Sequence, residues 1–177
     1  LTDHPKERWL TMARVAMGQS KMVVRPVAGI MHILIYVGFI LINIEVLEIL
    51  VDGLFGTHRV FAPYLGGFYN FLIGTFEWLA LGVLVACVVF LIRRNLLPIV
   101  RFRSPEMKGW PKNDANIILI VEVVLMFAFL SMNAADAIAQ SRIALNIWDN
   151  THHYIAAGAF PVSQWLVPLY AGLSDAG

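Results

Sequence analysis

The residues that could carry chemistry in this chain lie inside apolar segments. His32 is in the first such segment, Glu45 follows it there, and Glu77 lies in the second. A neutral imidazole can bind haem iron, so His32 is a candidate haem axial ligand, although a histidine there could equally be a packing residue. Carboxylates deep in a bilayer need partners and often mark proton paths. We therefore predict proton transfer by Glu45 and Glu77.

Four other histidines and four acids complete the candidate groups: His4 in the amino-terminal arm, His58 in a loop, His152, His153, Glu122, Glu48, Asp52 and Asp136. His152 and His153 precede the last apolar segment and are further haem candidates, although both could also be interfacial residues. No other histidine is expected at the depth of His32, so a haem there would need a second ligand from elsewhere. Glu122 lies deep in the third apolar segment, at roughly the depth of His32, and would need a partner there. The other three acids lie near segment ends, where they could reach water or cap loops: Glu48, Asp52 and Asp136.

The first apolar segment has two polar faces. At about 100° per residue, Asn43 falls on the side of His32, whereas Glu45 and Glu48 fall on the opposite side. Two polar faces on one helix indicate that it is packed inside a bundle.

The amino-acid composition indicates that these residues belong to an integral membrane protein. Of 177 residues, 59% are apolar and 14% are charged, against about 25% charged in average soluble domains. A single cysteine, Cys87, excludes an internal disulfide, a cysteine-ligated iron–sulfur cluster and a c-type haem site within this sequence. The sequence is also too short for a large catalytic domain outside the membrane.

Apolar density predicts an all-α integral membrane helical bundle with about four transmembrane helices. The predicted spans are 27–50, 68–92, 117–138 and 154–173, and Pro161 and Pro168 should kink the fourth. Five Lys and Arg residues precede the first span and six lie between the second and third, whereas the opposite side has only Arg59 and Arg142. This bias predicts a cytoplasmic amino terminus and gives no indication of nucleic-acid binding.

The sequence divides into a short arm and a membrane domain. Residues 1–25 are predicted to form a basic amphipathic helix and a linker on the cytoplasmic surface, and 26–177 form the transmembrane domain. Because the sequence begins with Leu1, we expect it to be a piece of a longer protein.

Several short sequence segments resemble those of a known family. A loose opening pattern is similar to the cytochrome-b-like membrane domain shared by nitrate reductase gamma subunits and heterodisulfide-reductase-related iron–sulfur oxidoreductases: Gly18-Gln19, Lys21, Arg25-Pro26, Gly29, His32 and Gly38-Phe39. Longer phrases resemble the bacterial iron–sulfur oxidoreductase branch: Asp3-His4-Pro5-Lys6-Glu7-Arg8-Trp9, Asn43-Ile44-Glu45-Val46-Leu47-Glu48, Phe55-Gly56-Thr57-His58-Arg59, Gly109-Trp110-Pro111-Lys112 and Ser131-Met132-Asn133-Ala134-Ala135-Asp136.

The resemblance implies membrane electron transfer in the bacterial inner membrane. The protein would be the membrane part of a quinone-linked oxidoreductase, with lipid, quinone and other subunits as partners. It would pass electrons between the quinone pool and iron–sulfur centres through haem b, with His32 as an axial ligand. The opposing histidine and the 4Fe-4S clusters would come from a further span and domain after residue 177, or from a partner.

Two other functions fit the same residues. The chain could be a non-catalytic anchor or assembly subunit whose polar faces bind partner helices. It could also provide a proton pathway that uses the acids without haem. A divergent protein without haem would equally lack the second histidine and the cysteines.

Overall fold

The computed structural model describes residues 3–17, 26–97, 110–145 and 154–172, and those residues form helices and connecting turns with no strand. Three helices are long and apolar enough to cross a bilayer: α2 (Pro26–Phe55), α4 (Gly67–Asn95) and α5 (Trp110–Ala144). They match the first three predicted spans and run a few residues longer. The arrangement indicates a multi-pass membrane protein.

Helix α4 is the centre of the fold, because it packs against both α2 and α5. A glycine on each side of the α2–α4 contact lets the backbones approach. A Cβ added at Gly38 would lie 2.5 Å from Cγ2 of Val83, and one added at Gly82 would lie 3.1 Å from Leu34. Small residues at helix contacts are typical of membrane bundles, where close packing drives association.

The three long helices alternate in direction, so their ends form two layers. Asn95 and Asn116 exchange side-chain hydrogen bonds of 3.0 and 3.3 Å where α4 ends and α5 begins. At the opposite end, residues 56–66 connect α2 to α4 and include the short helix α3 (Ala62–Leu65). We call this opposite end the loop end. The apolar core between the layers contains Ile42, Ile73, Phe76, Ala80, Val83, Met126, Phe129 and Leu130.

The fourth predicted span is not a continuous helix. Residues 154–160 have no regular secondary structure, and only a 3₁₀ turn (Ser163–Trp165) and the short α6 (Val167–Tyr170) follow. Gly158 has a φ of 103°, a conformation that interrupts a helix, and Pro161 follows soon after. A fourth transmembrane helix is therefore not confirmed.

The amino-terminal arm contains the predicted helix, α1 (Pro5–Ala16). None of its residues is buried against the rest of the described chain. Its cytoplasmic location remains a prediction from the charge bias.

Candidate functional site

A cluster of polar side chains surrounds Arg59 at the loop end. The guanidinium donates to Asp136 Oδ2 at 2.7 and 3.1 Å, to Asn133 Oδ1 at 3.1 Å, to Glu45 Oε1 at 3.2 Å and to the Tyr69 hydroxyl at 3.1 Å. Arg59 is only 5% exposed and Glu45 1%. We call these five residues the arginine cluster. One buried cation therefore connects all three long helices.

The position of Arg59 depends on the tight turn after α2. Gly56 and Arg59 both have positive φ angles, 65° and 55°, and the second is unusual for a residue with a side chain. Asp52 stabilises this turn, because its carboxylate accepts hydrogen bonds from the Thr57 hydroxyl at 2.6 Å and from the Arg59 and Val60 amides at 2.7 and 3.3 Å. The backbone strain is thus compensated by a carboxylate one turn before the end of the helix.

Glu48 fixes the other side of the same connection. Its carboxylate accepts a hydrogen bond from the Phe61 amide at 2.9 Å and another from the Tyr69 hydroxyl at 2.6 Å. It is 2% exposed, so both bonds are shielded from water. The expectation that Glu48 and Asp52 could cap loops is therefore confirmed.

The electrostatics of the arginine cluster favour the charged guanidinium. Burial by itself lowers the pKa of Arg59, but the adjacent Asp136 carboxylate and the Tyr69 hydroxyl raise it, and the net result lies above the usual arginine value. Arg59 therefore stays charged, and removing it would leave carboxylates buried without a counter-ion.

A cleft of about 390 Å³ lies beside the arginine cluster, between the loop-end halves of α2 and α5. Its apolar lining comes from Ile49, Met132, Ala135 and Ala139, and its polar lining from Glu48, Asp52, His58, Arg59, Asp136 and Tyr154. Pockets of this size that combine apolar walls with a few ionisable groups are typical ligand sites.

His58 and Asp136 form the ionisable edge of the cleft. His58 Nε2 lies 3.3 Å from Asp136 Oδ1, and the Tyr154 ring stacks on the imidazole with centroids 4.0 Å apart. The buried atom Asp136 Oδ1 has no hydrogen-bond partner among the described residues, and the same is true of His58 Nδ1. Both atoms are buried, so a ligand in the cleft would reach them only after side chains at this edge move.

Glu45 lies behind Arg59 and does not line the cleft. Its Oε1 pairs with the guanidinium, while its buried Oε2 has no partner in the described part of the chain. Glu45 and Glu48 lie on a buried face of α2, as expected for one of its two polar faces. The prediction that both polar faces pack inside a bundle is not confirmed within the described residues. The opposite face is exposed at Phe39 and Asn43, and the Asn43 amide donates back to Phe39 O at 2.5 Å.

Glu77 organises the non-helical segment after residue 154. It is completely buried at the middle of α4 and accepts hydrogen bonds from the Val162 amide at 2.8 Å, from the Ser163 amide at 3.1 Å and from the Ser163 hydroxyl. Non-helical backbone at membrane depth is tolerated only when its polar groups are satisfied within the protein. Glu77 satisfies this requirement at the start of the 3₁₀ turn.

Other polar contacts hold the same segment along α4 and α5. The Gly158 amide donates to Asn70 Oδ1 at 2.7 Å, and the Gln140 side chain donates to Ala157 O at 2.8 Å. Tyr170 donates to Ser131 Oγ at 2.8 Å. Residues 154–160 therefore descend from the loop end toward the level of Glu77 without regular secondary structure, and the 3₁₀ turn and α6 follow.

His32 lies on α2 at the end opposite the arginine cluster. It is half-buried and has no hydrogen-bond or ion-pair partner among the described residues. The pairing of Asn95 with Asn116 places Glu122, also half-buried, near the same level on α5. Among the described residues, no three His, Cys, Asp or Glu side chains are arranged to hold a metal ion. His152 and His153 lie outside the described residues.

Sequence reasoning missed the central residue of the cluster. Apart from the segment that carries the family resemblance, Arg59 was considered only as one of two basic residues on the side with few Lys and Arg, and His58 only as a loop histidine. A signal was present: a single loop arginine next to four acids, all expected in the same half of the membrane. A cation is needed to compensate buried carboxylates, and Arg59 was the nearest one.

No protein-family profile, curated protein or solved structure matches this chain.

Proposed function

We propose that the chain is the membrane part of a quinone-linked oxidoreductase that passes electrons between the quinone pool and iron–sulfur centres through haem b. The observation that supports this function is the cleft between α2 and α5, which joins apolar walls to the ionisable pair of His58 and Asp136. The resemblance of the sequence to membrane-anchored iron–sulfur oxidoreductases supports it independently.

A quinone head group matches the chemistry of this cleft. It is an apolar ring with two oxygens that need hydrogen-bond partners, and its isoprenoid tail needs a path to lipid. The apolar walls from Ile49, Met132 and Ala135 suit the ring, and the polar edge suits one of its oxygens. The volume of about 390 Å³ accommodates a single substituted ring.

Oxidation of a quinol releases two electrons and two protons, so the site needs a proton acceptor. Asp136 Oδ1 and His58 are close enough to share a proton from the quinol hydroxyl, and His58 is partly exposed at 31% of its side chain. Arg59 holds Asp136 in place through its other oxygen. We assign the first proton acceptance to this pair.

His32 would hold haem b through its imidazole, and a bound haem b would supply one-electron transfer. The half-buried imidazole without a hydrogen-bond partner fits that role. The described residues offer no second histidine at that level, so the opposing ligand would come from another part of the protein or from another subunit.

Glu45 and Glu77 remain proposals as proton-transfer groups, and their surroundings favour different outcomes. Glu45 has an unpartnered buried oxygen and could accept a proton after Asp136. Glu77 accepts three hydrogen bonds and acts better as a fixed anion. The 4Fe-4S clusters would belong to a further domain or a partner subunit, and the membrane would be the bacterial inner membrane.

Blocking the cleft tests the quinone assignment. Ala135 and Ala128 are exposed alanines two turns apart on the same side of α5, but only Ala135 lines the cleft. We expect Ala135→Trp to weaken binding of a short-tailed quinone by about tenfold or more, because it removes the space for the ring. Ala128→Trp is the matched control and should bind as the wild type does. Equal quinone binding by the two variants would exclude the cleft as the quinone site.

A non-catalytic anchor or assembly subunit is the second candidate. The exposed face of α2, which carries Asn43 among apolar residues, favours it, because an amide in a lipid-facing position can hydrogen-bond a partner helix. The two functions differ in their optical spectra. A b-type reduced-minus-oxidised band in the purified full-length protein with its partner subunits supports electron transfer, and absence of that band there supports the anchor. A proton pathway using the acids alone would conduct protons without the band.

A further inference from the structure

Helix α1 has an apolar face that no other part of the described chain covers. Trp9 is 67% exposed and Met12 is 51% exposed, and no residue of α1 is buried. At about 100° per residue, both side chains lie within roughly 40° of Ala16 around the helix axis. Leu10, which is 61% exposed, lies outside this face, about 120° from Ala16. A face that brings together two large exposed apolar side chains favours a covering surface.

The basic residues of α1 border this apolar face. Measured from Ala16, Lys6 and Arg8 lie at about +80° and −80°, whereas Arg14, Glu7 and Thr11 lie on the far side. Long basic side chains at the two edges of an apolar face can extend to phosphate groups while their methylenes cover lipid. This distribution is typical of helices that lie in the membrane interface.

We propose that α1 binds an anionic lipid surface, with Trp9 and Met12 inserted below the head groups and Lys6 and Arg8 paired with lipid phosphates. The bilayer is within reach, because only residues 17–25 separate α1 from the start of the membrane-crossing α2. A chain of that length spans at most about 30 Å. A protein partner is a less suitable occupant, since the two basic edges match a continuous plane of negative charge.

Site-specific fluorescence in lipid nanodiscs tests this proposal on the whole chain. An environment-sensitive dye on Met12→Cys would report the apolar face, and the same dye on Thr11→Cys would report the polar face; both are made in a Cys87→Ala background. In discs with about 30% anionic lipid and an acyl-chain quencher, we expect emission from position 12 to fall by about half. Emission from position 11 should change little.

Charge removal provides the matched comparison. The combined substitution Lys6→Gln, Arg8→Gln and Arg14→Gln, or high salt, should reduce quenching at position 12 to the level found in discs without anionic lipid. Three outcomes would overturn the proposal. They are no quenching at position 12 in anionic discs, equal quenching in neutral discs that resists charge removal, and blue-shifted emission without lipid quenching, which would mean that protein covers this face.

Discussion

The two ends of α2 use polar residues in different ways. At the loop end, Glu45, Glu48 and Asp52 each have named partners that hold a turn, a tyrosine or the buried Arg59. At the other end, His32 is half-buried and has no partner in the described part of the chain. Each of these three acids of α2 thus has a structural role through at least one carboxylate oxygen, whereas the imidazole has no such role within the described residues.

This difference separates residues that maintain the fold from residues available to a ligand. Removing a group that satisfies buried partners should destabilise the protein, because those partners are left without hydrogen bonds. Removing an unpartnered group should cost little stability and should change only what it binds. The order of stability losses at the two ends therefore tests the comparison.

Arg59→Ala should have the largest effect. It leaves Glu45 and Asp136 buried without their counter-ion, and loss of one member of a buried ion pair costs about 3–5 kcal/mol. Cys87, which is 1% exposed, provides the measurement, since a thiol-reactive dye labels it only when the bundle opens on heating. Arg14→Ala on α1, at an exposed arginine, serves as the control. Equal melting temperatures for the two variants would contradict the central place of Arg59.

Glu77→Ala should have the next largest effect, about 2–3 kcal/mol, because two backbone amides and a hydroxyl lose their acceptor inside the membrane domain. Glu77→Gln should recover more than half of this loss, since its amide oxygen still accepts and its amide nitrogen can donate to Ser163. Thermal labelling of Cys87 measures the stability of both variants. Glu122 is a half-buried acid without a hydrogen-bond partner among the described residues, so Glu122→Ala is the control. Equal melting temperatures for Glu77→Ala and Glu122→Ala would show that Glu77 does not hold the segment after residue 154.

His32→Ala should have the smallest effect on the folded polypeptide, less than about 1 kcal/mol in protein freed of haem. No described residue loses a hydrogen bond in this variant. Thermal labelling of Cys87 in the haem-free wild type and variant provides the measurement. A loss as large as that of Arg59→Ala would show that the two ends of α2 do not differ in the way described.

The sequence predicts the three long helices well, because each is a long apolar run bounded by charge, proline or glycine. It also predicts the acidic face of α2 from helical periodicity. It fails at 154–172, since hydropathy measures apolar density and not continuity of backbone hydrogen bonds. Gly158 and Pro161 interrupt that continuity, and their effect depends on whether a side chain such as Glu77 can accept the freed amides.

The arginine cluster could be predicted only in part. The acids and their approximate depth follow from the sequence, but the turn that directs Arg59 back between the helices depends on two positive φ angles and three hydrogen bonds to Asp52. The cleft needs the relative placement of α2 and α5 around α4, which no local pattern specifies.

Quinol-driven reduction of the b-type absorption band, in full-length protein purified from membranes with its partner subunits, tests the central claim most directly. We predict that added quinol reduces the band in the wild type and in Ala128→Trp, that Ala135→Trp retains the band but is reduced at least about tenfold more slowly, and that His32→Ala lacks the band. A wild type without the band, or Ala135→Trp reduced as fast as Ala128→Trp, would contradict the account.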